Sequence, residues 1–256
     1  MLVTRLNAFE DNYFWILESE RNGHSEIAVV DPGRFEEVDQ WCQTHKKELH
    51  KILLTHHHSD HIGGAEKLKS KYNALIYASF YDQSKVSNAD YWLQDGDRIT
   101  VGNSTAQVKH TPGHTPGHIC YYFGDENIIF VGDTLFAMGC GRLFGGTHLQ
   151  MWNSLNWIKS LPSNTLIYCA HEYTLGNLKF VRTIVGSTDP LNIRGERCLQ
   201  TRKKGDATVP FLLEEELETN PFLWADRLDF AANLGLPESS PEEIFKFLRT
   251  AKDAFH

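Results

Sequence analysis

The sequence predicts an α/β fold of the α+β kind, with strands and helices mixed over residues 1–172 and a small all-helical domain over residues 173–256. Three observations predict it. Short apolar runs of strand composition alternate with helix-periodic segments in the first two thirds of the chain. Past Glu172 the strand patterns stop and helical ones take over. Between a strand-like run and a Gly-Gly turn stands Thr55-His56-His57-His58-Ser59-Asp60-His61, a concentration of metal-ligating side chains of the kind α/β domains carry on strand-end loops.

In chain order, Tyr13–Leu17, Ile27–Val30, Lys51–Leu54, Ala74–Tyr77, Thr105–Val108, Ile119–Phe123, Asn127–Val131 and Thr165–Cys169 read as strands, short apolar stretches bounded by polar turns. Asp31-Pro32-Gly33 reads as a turn. Phe35–Lys47, Gly64–Lys71 and Leu149–Leu161 carry helical periodicity, so helices pack on sheets joined by short loops. After a boundary near 172–174, Leu175–Val185, Leu212–Glu218, Phe222–Leu234 and Glu242–Phe255 read as helices. A polar stretch rich in Arg and Lys, Asn192–Thr208, lies between them, and Pro190, Pro210, Pro221 and Pro241 punctuate the segment.

Composition sets outer limits. A chain of 256 residues, 41% hydrophobic and 12% aromatic, can bury a large core. With 25 Lys and Arg against 33 Asp and Glu, the net charge is −8, and there is no basic block, so nucleic acid is not expected as a partner. No apolar run approaches the roughly 20 residues that cross a bilayer, and the first residues carry no basic-then-apolar leader pattern. The cysteines (Cys42, Cys120, Cys140, Cys169 and Cys198) are odd in number and scattered, which points to free thiols, a reducing compartment and a cytoplasmic location.

Surface placement accounts for some of the 13 histidines, but not for four of them with an aspartate between positions 56 and 61. A histidine run can be a nonspecific metal tract. This one is internal, follows a buried-type strand and ends in Gly63-Gly64. On a strand end His56 and His58 share a side, and Asp60 and His61 turn toward the same cavity at the helix start. His57 points the other way and stays outside. Three further segments repeat the pattern of an apolar strand ending in a polar residue at a loop: Thr111-Pro112-Gly113-His114, Gly132-Asp133-Thr134 and Ala170-His171-Glu172. Alone each reads as a turn; around the central cluster they supply further ligands. His56, His58 and His114 can then hold one ion, Asp60, His61 and His171 a second, and Asp133 can bridge them. Imidazole and carboxylate donors suit zinc, iron and manganese; two divalent ions are expected, with zinc in first place. His110 precedes its Pro-Gly turn and stays out, while Thr55 and His118 are candidates for orienting ligands.

The sequence resembles the metallo-β-lactamase superfamily, whose THxHxDH motif is met by Thr55, His56, His58, Asp60 and His61. Within it the chain is similar to the glyoxalase II, or hydroxyacylglutathione hydrolase, family. The supporting segments are Asn12-Tyr13, Thr111–Tyr121, Gly132–Phe136, Gly139-Cys140-Gly141-Arg142, Ala170–Thr174 and Arg249-Thr250-Ala251-Lys252-Asp253, which together span nearly the whole chain. The resemblance implies an αββα sandwich followed by a helical substrate domain, and a binuclear site built from the seven ligands above. It also implies a reaction: a glutathione thioester such as S-D-lactoylglutathione goes to glutathione and a 2-hydroxy acid, here D-lactate, the second step of methylglyoxal detoxification. A small-molecule thioester would then be the partner of a monomeric enzyme. Arg142, Tyr173, Arg249 and Lys252 match the family's glutathione-holding positions. Arg142 stands where some relatives carry Lys, which keeps the charge; Phe144 stands where some carry Tyr, which removes a hydroxyl. From the residues alone, Arg249 and Lys252 would be a solvated helix face.

In chemical terms, a divalent ion lowers the pKa of bound water from 15.7 toward about 7, giving hydroxide for attack on the thioester, with Asp60 orienting it. Other readings belong to the same superfamily: a mono-iron persulfide dioxygenase, a lactonase, a β-lactamase or a nuclease. The two-ion ligand set opposes the first, the helical tail a β-lactamase and the charge a nuclease. A metal-binding protein without catalysis is the reading from another class, and it would need closed coordination.

Overall fold

The computed structural model describes residues 1–255, which form two compact units: residues 1–110 with 116–132, and residues 111–115 with 133–255. The boundary expected near 172 falls inside the second.

In the first unit, β1 (Leu2–Ala8), β2 (Asn12–Arg21) and β3 (His24–Val30) form an antiparallel meander. β4 (Lys51–Leu53), β5 (Leu75–Ser79) and β6 (Tyr91–Leu93) extend it in parallel, giving the order β1-β2-β3-β4-β5-β6. Parallel neighbours need crossovers. α1 (Phe35–His45) supplies the first, and α2 (Ser59–Ile62) with α3 (Ala65–Tyr72) the second. One face of the sheet, with Phe14, Ile16, Ile27, Val29, Ile52 and Ile76, packs on Val38, Trp41 and Cys42 of α1 and on Ala65 and Leu68 of α3. The alternate residues Trp15, Leu17, Ala28, Val30 and Leu53 are buried too, so a second layer covers the other face. That layer is β7 (Arg98–Val101), β8 (Ser104–His110), β9 (Ile119–Phe123) and β10 (Ile128–Gly132), paired antiparallel in that order. Tyr121 on β9 donates to Leu54 O at 2.8 Å, and the Ser19 and Ser104 hydroxyls meet at 3.1 Å, tying the two sheets together.

The second unit opens with the hairpin β11 (Leu135–Phe136) and β12 (Gly139–Cys140), turned at Met138 with φ +56°. α4 (His148–Lys159) begins with a Thr147/Gln150 capping box. β13 (Leu166–Cys169) leads to α5 (Thr174–Val185) and α6 (Asp189–Lys203), and β14 (Phe211–Leu212) pairs back on β13. α7 (Leu213–Thr219), α8 (Leu228–Asn233) and α9 (Pro241–Asp253) complete it, α9 starting with a Ser240/Glu243 capping box. Three expectations are corrected. The polar stretch Asn192–Thr208 is largely helix α6. The helix expected over Phe222–Leu234 is a short 3-10 turn at Pro221–Leu223 followed, after a break, by α8. Strand pairing does not end at Glu172, because β14 lies beyond it. α6 and α7 are joined by a fully buried charge network: Arg194 pairs with Glu216, whose other oxygen accepts Met138 N–H at 2.9 Å and Asn220 Nδ2–H at 2.7 Å. All five cysteines are buried, and among the described residues none forms a disulfide. Among the described residues, no helix is long and apolar enough to cross a membrane.

Candidate active site

In the first unit the parallel register of β3 and β4, Val30 against Leu53, brings Asp31 and Thr55 out of the sheet side by side. Asp31 is buried at φ +51°. Its Oδ1 accepts Thr55 N–H at 2.7 Å, and its Oδ2 accepts the Thr55 hydroxyl at 2.6 Å and His61 Nδ1–H at 3.0 Å. With its proton committed, Thr55 Oγ1 accepts His56 Nδ1–H at 3.1 Å. His56 and His61 are thus anchored through Nδ1 and present Nε2 as the lone-pair nitrogen, the arrangement of a histidine set to bind metal. His56 Nε2 lies 3.0 Å from His58 Nδ1, and the His56 and His61 rings are 4.1 Å apart. Asp60 stands 39% exposed, with Oδ2 at 3.5 Å from His61 Nε2 and accepting Asn12 Nδ2–H at 3.0 Å. Gly33 makes this packing possible, since a Cβ there would lie 1.8 Å from Asp60 O. Gly132, at φ +47°, is needed for the same reason: its Cβ would meet Thr55 Oγ1 at 2.4 Å and His118 Nε2 at 2.7 Å. The donor set fits a divalent ion.

The histidines outside the candidate ligand set have other partners. His57 turns to Asp82, Nδ1 to Oδ2 at 3.1 Å. His110 donates to Pro116 O at 2.9 Å and stacks on Tyr81. His118 is fully buried and stacks on His56 at 4.9 Å.

The second unit gathers His114, Asp133 and His171, all buried. His114 Nδ1–H donates to Arg142 O at 2.7 Å, which leaves Nε2 as its lone-pair nitrogen, 3.3 Å from Asp133 Oδ2. The other oxygen of Asp133 lies 3.5 Å from His171 Nε2, so one carboxylate stands between two imidazoles. Tyr173 stacks on His171 at 4.7 Å and 6°, and Phe136 meets both rings edge-on. Phe144 is half-exposed; its N–H donates to His114 O at 2.7 Å and its ring edge faces the His114 ring.

The basic residues lie in this unit too. Arg142, its side chain 59% exposed, places Nε 3.2 Å from Asp253 Oδ1. Arg249 is only 4% exposed: Nη1 donates to Cys140 O at 2.8 Å and Nη2 to Asp253 Oδ1 at 2.8 Å. It is no part of a solvated face. Lys252 lies over the Phe180 and Phe255 rings, and burial, then the charges of Arg249 and Arg142, draw its pKa down. Burial pushes the Cys140 thiol up to about 11.

Sequence reasoning missed Asp31, read as a turn residue. It carries the same signal as the other site segments, a polar residue closing an apolar strand before a Gly loop. Asp253 closes the Arg249–Asp253 segment, and its contacts with Arg142 and Arg249 emerge only in the fold.

Residues 12–171 match the family model described as the metallo-beta-lactamase superfamily, and residues 172–255 match the hydroxyacylglutathione hydrolase C-terminus. The chain is 40% identical to the hydroxyacylglutathione hydrolase of Methylococcus capsulatus, covering 99% of this chain and 98% of that one. It is 42% identical to that of Synechocystis sp., covering 100% of both. The fold is also similar to solved structures at 24% identity: ETHE1 from Myxococcus xanthus (TM-score 0.67, covering 100% and 96%) and TTHA1623 in a di-iron-bound form (TM-score 0.63, covering 87% and 100%). The full-length likeness and the two adjoining family matches place this chain in the hydroxyacylglutathione hydrolase family of the metallo-β-lactamase superfamily.

Proposed function

We propose that the chain hydrolyses S-D-lactoylglutathione to glutathione and D-lactate with two divalent ions, zinc expected and iron or manganese compatible with the same donors. His56, His58 and His114 would hold one ion and Asp60, His61 and His171 the other, with Asp133 serving both. Residues 1–172 are the catalytic domain and 173–256 the glutathione-binding domain of a cytoplasmic monomer. The observation that carries the substrate is the match of residues 172–255 to the hydroxyacylglutathione hydrolase C-terminus, because that segment holds Tyr173, Arg249 and Lys252.

Bound there, the ions would supply Lewis acidity and a nucleophilic oxygen at neutral pH. The rest falls to the chain. Asp60, held by Asn12 and half-exposed, orients the attacking oxygen. Addition to the thioester carbon and scission of the C–S bond give the 2-hydroxy acid and a thiolate. A free thiol ionises near pH 8.5, so the thiolate leaves without a strong general acid. Arg142, Lys252 and Arg249 supply the positive charge for the glutathione carboxylates, which reconciles an anionic substrate with a chain of net charge −8. Tyr173 lays its ring face on His171, and Phe144 offers an apolar surface beside His114.

The test is thioester loss from S-D-lactoylglutathione followed in the ultraviolet. Metal-loaded protein turns it over, and a chelator abolishes turnover. A rate equal to the chelated control would sink the reading.

A further inference from the structure

Asp253 is the last residue of α9, where an acidic side chain opposes the helix dipole. It also follows Arg249 by four positions, and base before acid is the weaker order for an i,i+4 pair. Neither local effect favours a carboxylate here. What holds it is the guanidinium pair: Oδ1 receives Arg249 Nη2–H at 2.8 Å and lies 3.2 Å from Arg142 Nε. Among the described residues Arg249 has Asp253 as its only paired carboxylate. Its Nη1 is spent on Cys140 O, its Nε is buried without an acceptor, and the residue is 4% exposed. A ligand carboxylate therefore reaches Arg249 only from the side that Asp253 covers. The cover is loose, since Asp253 is itself 40% exposed and Arg142 59% exposed. Counting Arg142, Arg249 and Lys252 against Asp253, the patch carries a surplus of two positive charges.

We propose that the Asp253 carboxylate holds, on Arg142 and Arg249, the place of a substrate carboxylate, and yields it when a glutathione thioester binds. This rests on the substrate reading above. Asp253 is thus a specificity-setting residue: it keeps the two guanidinium groups together and competes with the ligand for them. Exchange of one carboxylate for another leaves the charge pairing of the arginines intact, so the barrier to binding is small. The affinity lost to the competition is at least that of the exposed Arg142–Asp253 ion pair, about two- to fivefold.

Asp253→Asn removes the competing charge at constant shape. The dissociation constant of S-methylglutathione, measured by calorimetry on the metal-loaded enzyme, is expected to fall about two- to fivefold. KM for S-D-lactoylglutathione falls with it, and kcat moves less than KM. Asp253→Glu, which restores the charge, returns both toward wild type. In an Arg142→Met background the gain from Asp253→Asn shrinks, because half of the contested pair is gone. A dissociation constant that is unchanged or raised in Asp253→Asn overturns the inference, and so does an equal gain with Arg142 absent. Wild-type protein that binds S-methylglutathione but hydrolyses no lactoylglutathione would sink the substrate reading alone, since the calorimetric comparison needs no turnover.

Discussion

Asp31→Asn isolates the frame that sets His56 and His61, the two buried ligands proposed in the first unit. Asparagine is isosteric and tolerates the left-handed backbone found at φ +51°, so the turn is kept. Oδ1 can still accept Thr55 N–H. The other oxygen becomes an NH2 group that faces the Thr55 hydroxyl at 2.6 Å and His61 Nδ1 at 3.0 Å, both of them donors in the native arrangement. Relief comes if His61 shifts its proton to Nε2 and accepts through Nδ1. That removes the lone pair needed by the metal. Loss of such an orienting partner costs about 10- to 100-fold in metal affinity, roughly 1.4–2.8 kcal/mol. Folding stability should suffer less, because a neutral hydrogen bond replaces a charged one, a difference of about 1 kcal/mol. Metal per chain, measured after equilibration against a graded chelator series, reads the first quantity; the urea midpoint at constant m reads the second. Wild-type retention of both ions at every chelator concentration would refute the tautomer argument.

Asp133→Ala should lose both ions together, as read by elemental analysis; two ions per chain in the variant would contradict the bridging role. Affinity for S-methylglutathione should weaken on the alkaline side below the usual lysine value of 10.5, because Lys252 has a lowered pKa and carries the needed charge only below it. In Lys252→Arg that loss should vanish, and an unaltered profile there would assign the titration elsewhere. Glu216→Ala strands the buried Arg194 guanidinium and removes the acceptor of Met138 N–H, so a loss of about 3–5 kcal/mol is expected in urea unfolding. A loss below 1 kcal/mol would mean that the network is not buried in solution.

What the sequence made legible follows from which forces act locally. The candidate ligands are readable because each follows an apolar strand whose burial is written in its own composition, as with Lys51–Leu53 before His56 and Leu166–Cys169 before His171. β1 was not readable: it is a half-exposed edge strand in which Thr4, Arg5 and Asn7 dilute the apolar pattern, and its place comes from pairing with β2. α6 reads as a polar connection in the sequence because its buried stripe is Leu191, Arg194, Gly195 and Cys198. An arginine counts as inward-facing only once Glu216, 22 positions later, is known to be its partner. The 3-10 turn at Pro221–Leu223 starts where the Asn220 side chain accepts Phe222 N–H at 3.1 Å, a cap that lies just outside the apolar run. The buried position of Arg249 depends on a carbonyl 109 residues away, which no local pattern reveals.

The free cysteines acquire a meaning from the product. The proposed reaction releases a thiol into the protein's surroundings, where thiols and their oxidised forms exchange with any accessible thiolate. Here every cysteine is buried, and burial lifts the Cys42 and Cys140 thiols to about 11 and pushes Cys169 and Cys198 upward as well. At neutral pH a thiol titrating near 11 is ionised in about one molecule in ten thousand. The chain is therefore built so that its own sulfur stays out of mixed disulfides with the glutathione it sets free.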